Sequence, residues 1–153
     1  LVKMRIDIIS PGKFKEKPPY FKIFDYYKRR ISLKINLIEL KLHNFDKKKK
    51  ILLEKQDITK HLKDTGCLVT LDKSGRKISS RQFAEFMNKE LNNGEKKISF
   101  IIGGDLGLDN FFKEKKNVFS FGNQTWPHLM VRIMLIEQIY RAQEIIRGTS
   151  YHK

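Results

Sequence analysis

Short apolar runs alternate along the chain with longer segments in which apolar residues recur at helical spacing. The runs predict strands, because a strand needs only a few residues to cross a sheet. The later runs are apolar at nearly every position, which is typical of parallel strands covered on both faces. The third run is expected to stop at Asp72-Lys73-Ser74-Gly75, a cluster of turn-forming residues. Strands are predicted at residues 4–8, 35–40, 67–71, 98–102 and 118–121.

The longer segments predict helices between the strands. Ser79 and Gln82 have the spacing of a capping box, and Gly148 stands where a glycine commonly ends a helix. The alternation predicts one three-layer α/β domain with a mostly parallel sheet over residues 1–153. Helices are predicted at residues 20–30, 47–63, 79–92, 109–116 and 127–147. In the last helix the predicted apolar stripe is Leu129, Met130, Ile133, Met134, Ile136 and Tyr140, and the predicted polar side is Arg132, Glu137, Arg141, Glu144 and Arg147.

The charge balance indicates a negatively charged partner. Lysine and arginine number 32 against 17 acidic residues, so the formal charge is +15. Such a surplus favours RNA, DNA or an acidic membrane surface. The alternative is that the lysines only solvate the surface, as the run at residues 47–50 does if it lies at the exposed start of a helix.

Cysteine and histidine usage narrows the possible chemistry. Cys67 is the only cysteine, so no disulfide can form within the chain, and a reducing, cytoplasmic location is expected. Its apolar neighbours favour a buried thiol over a nucleophile. The histidines and the cysteine lack zinc-like spacing, so no metal is expected. No apolar stretch is as long as a membrane span, which predicts a soluble protein.

Three segments follow predicted strands and should meet at the carboxyl edge of the sheet, where open parallel sheets bind ligands. They are residues 71–75, 103–107 and 122–127. Gly103 and Gly104 allow a ligand to approach the backbone closely, although a tight turn would need them equally. Neither the dinucleotide fingerprint nor the Walker pattern is present. A ligand held by backbone groups, such as adenosine with an amino-acid tail, therefore fits this edge.

The last residues place an aromatic ring, an imidazole and a cation in succession at Tyr151, His152 and Lys153. A tyrosine ring can stack on an unpaired base, and histidine exchanges protons near neutral pH. The alternative is a frayed chain end. Glu137 and Arg141 are spaced for an ion pair on the surface of the last helix.

These segments together resemble the ribosomal RNA large subunit methyltransferase H family, within the SPOUT superfamily of trefoil-knotted methyltransferases. The likeness covers nearly the whole chain, is patchy between residues 40 and 65, and leaves residues 1–3 as an extension ahead of the family's usual first Met. The motifs that carry it are Met4-Arg5-Ile6, Gly12-Lys13-Phe14-Lys15-Glu16-Lys17, Thr70-Leu71-Asp72, Phe100-Ile101-Ile102-Gly103-Gly104, Pro127-His128, Val131-Arg132, Ile136-Glu137-Gln138-Ile139-Tyr140-Arg141-Ala142 and Tyr151-His152-Lys153.

The resemblance implies a homodimer that methylates N3 of a pseudouridine in 23S ribosomal RNA, preferably in the assembled ribosome. It implies a C-terminal trefoil knot that binds S-adenosylmethionine, with no metal and with no DNA or membrane partner. His152 would handle the proton, Tyr151 would orient the base, and Arg141 would stabilise negative charge or hold a phosphate. The implied cofactor contacts are Leu71, Gly103, Gly104, Gly122, Asn123, Gln124, Thr125, Trp126 and Pro127.

The chain departs from the family pattern at Asp105-Leu106 and within residues 122–126, and backbone contacts tolerate such changes better than side-chain contacts do. Two other functions remain open from the sequence. One is a non-catalytic basic module that binds RNA or the ribosome. The other is a SPOUT methyltransferase with a different RNA target.

Overall fold

Five parallel strands form one sheet in the computed structural model, which describes residues 3–14 and 17–153. The strand order is β2-β1-β4-β3-β5, and every pair of neighbours is parallel. The predicted α/β class with a parallel sheet is confirmed. Outside the described residues lie Leu1 and Val2 of the predicted extension, and Lys15 and Glu16 of one family-like motif. In chain order the elements are β1 (Arg5–Pro11), α1 (Pro18–Lys28), β2 (Lys34–Leu40), α2 (Lys47–Lys60), β3 (Cys67–Lys77), α3 (Ser80–Asn92), β4 (Lys97–Ile102), α4 (Asn110–Lys113), β5 (Val118–Ser120) and α5 (His128–Arg147).

The sheet is buried on both faces. Successive residues of a strand point to opposite faces, and Ile8 and Ile9 of β1 are both fully buried. Ile8 belongs to a large apolar cluster that includes residues of α1, α3 and α5. Ile9 belongs to a smaller cluster with Ile58 of α2 and Phe112 of α4. The helices therefore form two layers around the sheet, and this double burial explains why most positions of the central strands are apolar.

Most predicted helix ends are confirmed, because they depend on local chemistry. The Ser79 side chain accepts from the backbone N–H of Gln82, whose side chain accepts from the backbone N–H of Ser79. Gly148 ends α5 with a φ of 72°, a left-handed conformation that suits glycine. The helix predicted to run to residue 63 ends earlier, at Lys60. Cys67 is buried, as predicted.

The predicted end of the third strand is wrong. Strand β3 continues through Asp72-Lys73-Ser74-Gly75 to Lys77, and it pairs with β5 on both sides of a register shift between Leu71 and Arg76. The turn-forming residues occupy this irregularity instead of ending the strand, because β5 provides backbone partners again beyond it. As a result, Arg76 and Lys77 pair with Phe119 and Ser120 of β5, and none of residues 72–77 is buried.

The predicted polar side of α5 is wrong at Arg132. Its side chain is fully buried. Its guanidinium forms an ion pair of 3.2 Å with Glu39 at the end of β2 and donates to the carbonyl oxygen of Pro11. Helical periodicity places Arg132 away from the apolar stripe, but the chain segment after β1 covers this part of α5. Only long-range contacts produce that burial.

Candidate functional site

A cavity of about 800 Å³ lies at the carboxyl edge of the sheet, between residues 71–73 at the irregularity of β3 and the segments that follow β4 and β5. This is the edge at which the sequence predicts a ligand site, because open parallel sheets bind ligands there. The predicted cofactor residues Leu71, Gly103, Gly104, Gly122, Gln124, Thr125, Trp126 and Pro127 all line it, together with residues 105–108 and His128. Asn123 is exposed and is not among the lining residues.

The cavity has an apolar base and a polar margin. Leu71, Ile102 and Phe119, one from each of β3, β4 and β5, line it and are buried. Charged side chains surround this base, and among them Asp105 is exposed and lies 3.1 Å from the Lys50 ammonium. A ligand with a flat apolar part and a charged tail suits such a surface. The further charged lining residues are Lys47, Asp72, Lys73 and Lys113.

Gly103 is required by the turn after β4, independently of any ligand. A Cβ atom there would lie 2.9 Å from the backbone carbon of Gly107 and from the Leu108 side chain. The segment folds back on itself, and the Gly107 N–H donates to the Gly104 carbonyl over 3.1 Å. A Cβ atom on Gly104 would instead meet the Glu54 carboxylate at 3.4 Å, an ordinary contact. The tight-turn explanation therefore holds for Gly103 and not for Gly104.

His128 is a cavity residue whose role the sequence patterns did not indicate. It opens α5, and its Nδ1 atom is buried without a hydrogen-bond partner among the described residues. Burial lowers the pKa of this imidazole, and the neighbouring Arg132 lowers it further, against the opposing effect of Asp105. His128 is therefore neutral at pH 7. Its only signal in the sequence is its place in the family-like Pro127-His128 pair.

Glu54 of α2 is a second buried polar group next to the cavity. Its side chain lies against Gly104, and Oε1 has no hydrogen-bond partner among the described residues. Burial raises the pKa of this carboxyl group, and the nearby Lys50 partly offsets the rise. By contrast, a hydrogen bond from Lys50 lowers the pKa of Asp105. Lys50 thus keeps a charged carboxylate at the cavity margin and leaves Glu54 as the more easily protonated group.

The three predicted catalytic side chains meet in one cluster with Glu137. Arg141 donates to Glu137 Oε1 through Nε and Nη2, at 2.9 and 2.6 Å, and the Tyr151 hydroxyl donates to the same oxygen over 3.1 Å. Arg141 Nη1 lies 3.1 Å from His152 Nδ1. Burial raises the pKa of Tyr151, and the Glu137 carboxylate raises it further. The predicted Glu137–Arg141 pair is confirmed, and it organises the chain end.

The chain end packs on α5 instead of extending away from it. The ring of Tyr151 contacts that of Tyr140 with centroids 4.8 Å apart and planes at 75°. The guanidinium of Arg141 lies over the Tyr151 ring at 4.8 Å. These contacts hold His152 in place, which argues against a frayed end.

The cluster at the chain end and the cavity lie at different positions along α5. At about 1.5 Å per residue, the helix carries Arg141 roughly 20 Å beyond His128. None of Arg141, Tyr151 and His152 lines the cavity. Within one chain, the two groups of predicted site residues are therefore apart.

A second cavity, of about 630 Å³, lies between these two regions. Phe121 and Gly122 line both cavities, and Glu137 lines the second. Its other contacts are mainly apolar side chains of α1, α3 and α5, such as Ile23, Phe83 and Met134. This part of α5 thus presents apolar groups to an open hollow.

Over residues 3–14 and 17–153, no group of three or more His, Cys, Asp or Glu side chains is arranged to hold a metal ion. No helix in this described part has the length and apolar character needed to cross a membrane.

Comparison with protein families and curated proteins gives matches over nearly the whole chain. Residues 4–152 match the family described as predicted SPOUT methyltransferase. The ribosomal RNA large subunit methyltransferase H of Caldicellulosiruptor bescii is 40% identical, covering 97% of this chain and 99% of the relative. That of Clostridium botulinum strain Kyoto is 38% identical, covering 98% of this chain and all of the relative.

Among solved structures, the fold resembles a probable methyltransferase from Bordetella pertussis Tohama I. The TM-score is 0.61, and the match covers 92% of this chain and 93% of the other. The two sequences are 9% identical, so this likeness concerns the fold alone.

Proposed function

The chain belongs to the SPOUT methyltransferase family and to its ribosomal RNA large subunit methyltransferase H branch, and from this premise we propose that it methylates N3 of a pseudouridine in 23S ribosomal RNA. S-adenosylmethionine is the methyl donor. The observation that carries the proposal is the cavity at the carboxyl edge of the sheet, where Leu71 of β3 and the segments that follow β4 and β5 supply eight of the nine residues expected to contact the cofactor.

The lining of this cavity fits such a donor. Leu71, Ile102 and Trp126 offer apolar surface for an adenine ring, and the segment from Gly103 to Gly107 offers backbone groups for its polar edge. Asp72 and Asp105 line the cavity and suit a ligand that carries positive charge. When bound, the donor supplies an electrophilic methyl group, and in-line positioning of the target base provides much of the rate gain.

The chain's own residues must orient the base, remove the N3 proton and stabilise the resulting negative charge. Tyr151 orients the base, Arg141 stabilises charge on a carbonyl oxygen or holds a phosphate, and His152 accepts the proton. An arginine can only donate, so the contact with Arg141 makes His152 Nδ1 an acceptor and leaves the proton of a neutral ring on Nε2. His152 can therefore take the N3 proton on Nδ1 once Arg141 turns towards the substrate.

Within one chain, the cavity and the chain end lie roughly 20 Å apart along α5, and a second copy of the chain can bring them together. We infer a homodimer in which the α5 helices pack in opposite directions. The chain end of one copy then reaches the cavity of the other. The apolar hollow lined by Ile23, Phe83 and Met134 supports this arrangement, because it leaves apolar surface of α5 available to a partner.

Several wider properties accompany the proposal. Residues 1–153 act as one methyltransferase domain, and the segments around β5 and α5 form the trefoil knot of the SPOUT family. The substrate is the assembled ribosome, and the enzyme works in the cytoplasm without a metal. The +15 charge supports an RNA substrate.

Calorimetry and nucleotide mapping test this function. The protein should bind S-adenosylmethionine and methylate one pseudouridine in ribosomes that lack the mark, as mass spectrometry of the RNA would show. Removing residues 151–153 should abolish turnover and leave cofactor binding intact, because those residues do not line the cavity of their own chain. Loss of cofactor binding in that variant would contradict the division of roles.

Mixing variants tests the dimer. A chain without residues 151–153, combined with a chain whose cavity is blocked by Leu71→Trp, should regain activity if the chain end acts on the partner's cavity. If neither variant complements the other, the site is built within one chain. The +15 charge also fits a second candidate function, that of a non-catalytic RNA-binding module. That function predicts salt-sensitive RNA binding without affinity for S-adenosylmethionine.

A further inference from the structure

One face of the molecule beside the cofactor cavity combines exposed aromatic rings with lysines. It consists of Phe45, the first turn of α2, α4, and the residues directly after α4. We call it the α2/α4 face. Phe45 and Phe111 are 51% and 40% exposed there, which is unusual for phenylalanine. The lysines of the face are Lys47, Lys48, Lys49, Lys113 and Lys115.

Each exposed ring is paired with a lysine. The Lys49 ammonium lies 3.9 Å from the centroid of the Phe45 ring, and the Lys115 ammonium lies 3.8 Å from that of Phe111. These are cation–π distances. Each pair places a flat apolar surface next to a positive charge, which is the combination that meets a nucleobase and its phosphate.

Three acidic residues near these lysines are engaged within the chain, whereas Glu114, between Lys113 and Lys115, is exposed and offsets one of their charges. Asp46 caps α2 by accepting from the backbone N–H of Lys49. Asp105 pairs with Lys50 at 3.1 Å, and Asp109 caps α4 and lies 3.8 Å from the Lys55 ammonium. The pairs with Lys50 and Lys55 join α2 to the segment before α4. They hold the two halves of the face together, and they use carboxylates that would otherwise offset its lysines.

The face is continuous with the cofactor cavity. Lys47 at one end and Lys113 at the other both line that cavity, and so do the exposed side chains of Leu106 and Trp126. A strand of RNA lying on the face would therefore lead to the place where the methyl donor binds.

We propose that the α2/α4 face docks the ribosomal RNA substrate, with the lysines on phosphates and the rings of Phe45 and Phe111 under unpaired bases. This inference rests on the proposed function, since it presumes an RNA substrate. The chemistry favours RNA over a protein partner, because each exposed ring has a lysine ammonium at cation–π distance, and this pairing suits a nucleobase with its phosphate.

A charge-matched pair of variants tests the face. The face variant is Lys48→Gln, Lys49→Gln and Lys115→Gln, which leaves the cavity residues Lys47 and Lys113 untouched. The control variant is Lys60→Gln, Lys89→Gln and Lys96→Gln. Its three exposed lysines lie at the ends of α2 and α3 and before β4, hence at the opposite, amino edge of the sheet.

The readouts are KM for unmethylated ribosomes, the salt dependence of RNA binding, and calorimetry with S-adenosylmethionine. The face variant should raise KM by roughly tenfold or more and lower the slope of log affinity against log salt by about 2 to 3. Cofactor affinity and melting temperature should match those of the unmodified protein. The control variant should change KM by less than about threefold, as expected for a distant, general charge effect.

The aromatic contribution is measured separately with Phe45→Ala and Phe111→Ala. Each should weaken RNA binding by roughly fivefold or more without altering the salt slope. Equal effects of the face and control variants would overturn the proposal, and so would unchanged KM in the face variant. If the unmodified protein neither binds S-adenosylmethionine nor modifies RNA, the proposed function fails instead, which is a distinguishable result.

Discussion

Replacing Arg132 by Met should be among the most destabilising single changes in this chain. The guanidinium is fully buried, and the side chain of its partner Glu39 is 7% exposed. Methionine fills similar space but cannot donate, so Glu39 would be left as a charge in a poorly solvated position. Burial lowers the pKa of Arg132 to about 10, so the group remains charged at pH 7.

The size of the effect follows from the loss of one partner in a buried pair. Removing one partner costs about 3–5 kcal/mol, mostly because the other charge stays buried. The Phe14 backbone N–H still donates to Glu39, which places the expectation towards the lower end of that range. For a domain of this size, about 3–5 kcal/mol lowers the melting temperature by roughly 6–20 °C.

Urea unfolding of four proteins measures the effect: the unmodified chain, Arg132→Met, Glu39→Gln, and the double variant. The double variant should be more stable than Arg132→Met alone, because Gln removes the stranded charge and can still accept from Phe14. A loss below about 1 kcal/mol for Arg132→Met would refute the reasoning. A double variant no more stable than Arg132→Met would refute it equally, since the charge would then not be the cause.

Three further predictions concern single residues near the core and the cavity. Burial raises the pKa of the Cys67 thiol to about 12, so a thiol reagent at pH 8 should label it only when the protein unfolds, and fast labelling of the native protein would contradict this. Because burial depresses the pKa of His128 below its ordinary 6.5, the unfolded chain binds the proton more readily than the folded protein does. The free energy of unfolding should therefore decrease as the pH is lowered through about 6.5, and the decrease should be smaller in His128→Asn. Denaturation at pH 7 and at pH 5 would show the difference. Gly103→Ala should lose about 1–3 kcal/mol because its Cβ would lie 2.9 Å from the Gly107 backbone, whereas Gly104→Ala should lose less than about 1 kcal/mol; equal losses in denaturant melts would disprove the assignment of Gly103 to the turn.

Features that depend on neighbours in the chain were predictable from the sequence. The capping box at Ser79 and Gln82 and the left-handed Gly148 are confirmed, because each involves atoms only a few residues apart. The apolar runs identify the strands, since burial on both faces favours apolar side chains at most positions. The parallel sheet then predicts where a ligand cavity opens, and eight of the nine expected cofactor residues line it.

Features that depend on distant segments were decided by the tertiary structure alone. The extension of β3 to Lys77 requires β5 as a partner, and the burial of Arg132 requires Glu39 and Pro11, which are remote in sequence. The separation of the chain end from the cavity has the same origin, and so does the burial of His128 Nδ1, which has no hydrogen-bond partner among the residues that the structure describes. Local patterns encode propensity and periodicity over a few residues, whereas burial and charge pairing are set by whichever remote segment packs against a side chain.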